Sequence, residues 1–218
     1  MKLFPNRHHE IDPVWHVQVT LVVAILLQFF LPDIFLASSR VALTAISLLA
    51  LVSLSITTPR KDVFESPSRR LNVFLLIASI GFTNLYSLLR VLGAMLNGGT
   101  FNGHDLILAA INIYLTNIIV FAMLYWEMDG GGPGKRRSPH NDTRDFLFPQ
   151  DALHGEKHKH WNPTFIDYVY VSSTNATAFS PTDTMPLTRR AKVLMLAQAL
   201  VSLLTVALIA GRAINILR

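Results

Sequence analysis

Five runs of the chain carry little or no charge: residues 14–31, 41–57, 71–96, 106–126 and 193–217. A bilayer core of about 30 Å takes roughly 20 helical residues, and about 17 suffice. In lipid every backbone N–H and C=O must be satisfied within its own segment, so runs like these form helices. Charged residues make up 15% of the 218, against about 25% in an ordinary soluble domain. The expected fold is therefore an all-α integral membrane protein. We read it as one multi-pass domain over residues 1–218, with five transmembrane helices and placed in the cell membrane.

The charges lie between the runs, where they act first as a topology signal. Lys2 and Arg7 precede the first run; Arg60, Lys61, Arg69 and Arg70 follow the second. Six cations lie in the long polar stretch 129–163, and Arg189, Arg190 and Lys192 stand before the last run. If the amino terminus is inside, these fifteen of the nineteen Lys and Arg residues fall on one side of the membrane. The positive-inside rule then makes that side cytoplasmic. The first run ends in Leu31-Pro32-Asp33 without a small-residue cleavage pattern, so it is expected to be an uncleaved span. The absence of cysteine excludes disulfides, thiolate metal sites and cysteine nucleophiles. The net charge of +5 is accounted for by topology, and no nucleic-acid partner is expected.

Stretch 129–163 opens with G-G-G-P-G and reads as a flexible loop. Within it Phe146-Leu147-Phe148-Pro149 is an apolar island suited to the membrane interface. Trp161 and Tyr168 fit the same boundary. Asn162-Pro163-Thr164 makes a helix start, with Asp167 in the first turn. The segment that follows is too short and too polar to span. It reads as a re-entrant half-helix, which a membrane tolerates only where protein buries it or it lines a cavity.

Residues 174–192 read T-N-A-T-A-F-S-P-T-D-T-M-P-L-T-R-R-A-K and lead into the last apolar run. The order of short helix, hydroxyl-rich turn, D-x-x-P-x-T-x-x-A-K and clean span resembles the pore module of tetrameric cation channels. In potassium channels the filter reads T-V-G-Y-G-D, followed in many members by x-x-P-x-T-x-x-G-R. Asp183, Pro186, Thr188, Ala191 and Lys192 match that tail. Aligned on Asp183, the filter positions hold Ala178, Phe179, Ser180, Pro181 and Thr182, without either glycine. Filter carbonyls aimed at an axis need backbone angles that glycine adopts cheaply, and Pro181 fixes its φ near −65°. The resemblance therefore implies a hydroxyl-lined mouth with one carboxylate rather than a potassium filter. Thr174, Asn175, Thr177, Ser180, Thr182 and Asp183 would form it, passing monovalent cations without potassium selectivity, in a homo-oligomer. It also implies an outward-facing loop, opposite to the charge-based topology. The same residues fit a plainer reading, in which Ser180-Pro181-Thr182-Asp183 is a turn and Asp183 caps the last helix. Over residues 161–217 the chain is also similar to a group of bacterial multi-pass proteins with no assigned activity.

Other polar groups are fewer. Arg90 is a charge inside the third run, a functional candidate that can also snorkel to the interface. His154, Glu156, His158 and His160 form an H-x-E-x-H-x-H run. Such imidazoles are weak metal candidates, and a solvated polar loop is the better reading of them. Asn84, Asn112, Asn117 and Gln198 lie within spans and are expected to hydrogen-bond between helices. No G-x-S-x-G, H-E-x-x-H or Walker loop is present, so neither enzyme activity nor a cofactor is expected. The reading is a channel-like pore-loop protein, with a non-conducting membrane scaffold or partner subunit as the alternative.

Overall fold

The structure is a computed structural model that describes residues 15–30, 45, 48–49, 52, 67–96, 103–136, 143–152, 161–178 and 183–216. The described chain is predominantly helical. Its elements are α1 (Trp15–Phe30), α2 (Pro67–Leu96), α3 (Gly103–Met128), a 3-10 turn (Asp129–Gly131), α4 (Pro133–Arg136), β1 (Phe146–Leu147), α5 (Pro149–Ala152), α6 (Phe165–Ala178), β2 (Met185–Pro186) and α7 (Arg189–Ile216). Three stretches are long and apolar enough to cross a membrane: Arg69–Leu96, Gly103–Gly131 and Arg189–Gly211. The first apolar run forms the 16-residue α1; the second lies largely outside the described residues.

The long helices follow from apolar periodicity. In α2 the buried positions Val73, Leu76, Ile77, Ile80, Leu88 and Val91 recur at helical spacing, placing one stripe against α3. α3 is central, and α1, α2, α6 and α7 all pack on it. Two apolar clusters mark its ends. One joins Leu21, Ile77, Val120, Met123, Tyr125, Phe146, Tyr168 and Met195. The other joins Leu88 and Val91 of α2, Leu106 and Ile113 of α3, and Leu208 of α7.

These contacts fix the helix directions. The start of α2, the end of α3 and the start of α7 share one end of the molecule, because Arg69 meets Glu127 and Arg190 meets Asp145, which in turn sits on Asp129. We call this end the basic pole. Amides tie the helices together lower down. Asn84 Nδ2 donates to the Ile113 carbonyl (3.2 Å), and Asn112 Nδ2 donates to the Leu27 carbonyl (2.5 Å). The interhelical role expected for these amides is thus observed.

α6 starts at the basic pole, where Phe165 packs edge-on against Trp126 at 5.9 Å. Thr164 caps it: the Asp167 carboxylate accepts from the Thr164 N–H (2.7 Å) and hydroxyl (2.8 Å), a variant of the capping box. Its 14 residues advance about 20 Å and end beside Tyr114, midway along α3, where Tyr114 Oη and Thr177 Oγ1 are 3.2 Å apart. By Met185 the chain is back at the basic pole, where β2 pairs antiparallel with β1. α7 then begins at Arg189, capped by Thr188, whose hydroxyl accepts from the Ala191 N–H at 3.3 Å. The cap expected at Asp183 is therefore corrected: Asp183 is exposed and lies ahead of β2.

The glycine-rich start of the polar stretch is a defined turn rather than an open linker. Gly130, Gly131 and Gly132 have φ of 61°, 81° and 105°, values that cost little only for glycine. A Cβ on Gly132 would lie 3.2 Å from the Glu127 carbonyl oxygen. The apolar island is corrected too. Phe146 and Phe148 are buried, and both pack edge-on against Tyr168, at 6.4 and 5.4 Å. Tyr168 is itself fully buried rather than placed at a water boundary.

Candidate functional site

Two polar layers lie inside this bundle. The first is at the basic pole and is built on three acids that sequence reasoning did not single out. Asp129 follows α3 directly and is fully buried. Its Oδ1 accepts from the backbone N–H groups of Asp145 (2.7 Å) and Phe146 (3.2 Å), and its Oδ2 accepts from the Tyr168 hydroxyl (2.6 Å). One carboxylate thus joins the end of α3 to β1 and α6. Arg136 donates to the carbonyls of Trp126 and Asp129, and its guanidinium lies 5.0 Å from the Tyr168 ring centroid. Burial, offset in part by the Arg136 charge, pushes the Tyr168 phenol well above its ordinary value. The phenol is therefore a neutral donor at physiological pH.

Asp145 is the second acid. Arg190 Nε and Nη2 each donate to it at 2.6 Å, one to each oxygen, and the Thr188 hydroxyl donates to the same carboxylate. A bidentate charge-assisted pair is strong and geometrically specific. It fixes the start of α7 to the β1 side of the pole, and the Leu187 N–H adds a bond to the Asp145 carbonyl (2.8 Å). The third acid, Glu127, meets Arg69 at 3.2 Å. Glu127 Oε2 and Arg69 Nε are buried without a hydrogen-bond partner. An incompletely bonded buried pair does little for net stability, so the Asp129 and Asp145 clamps hold the pole.

The second layer lies deeper, between α3, α6 and α7. Gln198 Oε1 accepts from the Tyr125 hydroxyl (2.6 Å) and from Asn175 Nδ2 (2.9 Å), while its Nε2 donates to the Ser172 carbonyl (3.0 Å) and hydroxyl (2.6 Å). Both lone pairs and both N–H groups of this amide are in use. Asn175 Nδ2 also donates to the Met195 carbonyl, Asn117 Nδ2 to Ser202 Oγ, and the Ser172 hydroxyl to the Ile118 carbonyl.

The expected pore row divides accordingly. Asn175 is buried in the Gln198 network. The Thr174 hydroxyl donates to the Tyr170 and Val171 carbonyls, and that of Thr177 to the Ser173 carbonyl, so both bond back to their own helix. Ala178 is the exposed last residue of α6. Phe179, Ser180, Pro181 and Thr182 lie outside the described residues, and Asp183 is exposed. Arg90 is exposed near the end of α2. His154, Glu156, His158 and His160 lie outside the described residues. Among the described residues no group of three His, Asp or Glu side chains could hold a metal ion.

No protein-family model, curated protein or solved structure matches this chain. Its functional reading rests on its own geometry.

Proposed function

We propose that this chain is a non-conducting multi-pass membrane scaffold or partner subunit of five spans, with α6 a re-entrant half-helix entering from the basic, cytoplasmic side. The observation that carries the reading is Gln198. Its fully bonded amide fastens α6 to α3 and α7 within one chain. A pore helix must present polar groups to an axis shared between subunits. Here Ser172 and Asn175 of α6 turn inward onto neighbouring helices, and the Thr174 and Thr177 hydroxyls bond back to their own helix. The direction of entry supports the same reading. α6 starts beside Arg136 and the Arg190–Asp145 pair, the end that the positive-inside rule assigns to the cytoplasm. A potassium-type pore helix would enter from the other face.

The channel-like alternative keeps two observations: Thr177 is exposed at the tip of α6, and Asp183 is exposed where a mouth would be. Flux separates the two. Purified protein in liposomes loaded with a monovalent cation should release it no faster than empty liposomes. Release that falls on Asp183→Asn would establish the pore reading instead.

A further inference from the structure

We propose that the exposed face of α7 binds an anionic phospholipid, with Arg189 and Lys192 on its headgroup and an acyl chain along Val193, Leu196, Leu200 and Leu203. The proposal needs only the membrane placement of α7 and stands whether or not the chain conducts. These six positions follow one another at helical spacing and are all exposed, so they form one stripe. Its four apolar members are between 49% and 64% exposed. The two cations cap the stripe at the pole, where a headgroup would lie.

The charges select the occupant. Three cations open α7, and among the described residues only the middle one is paired with an acid. Arg190 turns to Asp145 in a two-bond pair, whereas no described side chain engages Arg189 or Lys192. A second copy of this chain fits the stripe poorly. Two copies in one membrane meet with the same ends level, which sets Arg189 and Lys192 against their own counterparts at like charge. An anionic headgroup supplies the missing negative charge, and a basic juxtamembrane cluster attracts it most on the cytoplasmic leaflet.

The test uses the full chain in nanodiscs with a fluorophore on Leu196→Cys, the only thiol present. Doxyl-labelled phosphatidylglycerol or phosphatidylcholine of matched acyl chains serves as quencher. The relative association of phosphatidylglycerol should exceed that of phosphatidylcholine by about fivefold for each of the two cations, or about thirtyfold when both engage. It should fall to parity in the R189Q/K192Q variant, and the charge-keeping R189K/K192R variant should retain it. Equal quenching by both lipids in the unsubstituted background would overturn the site, leaving ordinary boundary lipid only. A preference that survives R189Q/K192Q would overturn it by placing the lipid elsewhere. Exclusion of both quenchers, with label–label proximity between chains, would overturn it in favour of a second copy.

Discussion

Asp129 receives three hydrogen bonds from two other segments, and the proton-bearing partner that matters most is Tyr168. A hydrogen bond to a charged acceptor is worth about 1.5–3 kcal/mol. Tyr168→Phe should therefore destabilise the protein by about 2 kcal/mol, read by thermal unfolding in detergent. The raised phenol also fixes a pH signature. A group whose folded pKa lies above its unfolded value of about 10 adds stability that is full below that pH and is lost as pH rises beyond it. Unfolding temperature should therefore carry no Tyr168-dependent change from about pH 6 to 9, then fall above about pH 10, and the Phe variant should lack that part of the fall. Little of this was legible in the sequence. Asp129 reads as a loop acid after a span, and its partners lie 16 and 39 residues further on. The available signal was an acid set directly between an apolar helix and three glycines.

At the scale of elements, α6 is the part the sequence half discloses. Pro163, Thr164 and Asp167 announce its start, and its length is too short to span. Its hydroxyls read as a pore lining because a D-x-x-P-x-T-x-x-A-K tail and an apolar run follow them, yet a Ser or Thr in a helix can equally bond the carbonyl three or four residues back. Only packing decides between these: Thr174 and Thr177 bond back to their own helix, and Gln198 holds α6 through Ser172 and Asn175. Interhelical side-chain bonds in bilayers average about 0.6 kcal/mol, but Gln198→Leu strands several buried partners at once. The expected cost is about 2–3 kcal/mol, with hydrogen exchange rising across Phe165–Ala178 more than across α2. An unchanged exchange rate in α6 would remove Gln198 as its fastener. The turn after α3 makes a second element-level prediction. Gly132→Ala sets a Cβ against the Glu127 carbonyl at positive φ and should cost about 1–3 kcal/mol of stability. Composition alone could not separate this turn from a linker, because glycine serves both.

For the molecule as a whole, charge was the most legible feature. The clusters at 60–70, 129–163 and 189–192 were expected on one side, and the helices bring Arg69, Arg136, Arg144 and Arg190 to one pole. What the charges could not reveal is that part of this pole is a built, acid-clamped cap from which the 14-residue α6 starts. The central claim is that α6 enters from the cytoplasmic side and lines no aqueous path. It is tested most directly by labelling two single-cysteine variants, Lys135→Cys and Thr177→Cys, with a membrane-impermeant thiol reagent on intact and then opened cells. The account predicts that Lys135→Cys reacts only after opening, and that Thr177→Cys at the tip of α6 reacts in neither state because no aqueous path reaches it. Reaction at Thr177→Cys from either side would reveal a water-filled path. Reaction at Lys135→Cys on intact cells would reverse the orientation. Either result contradicts the account.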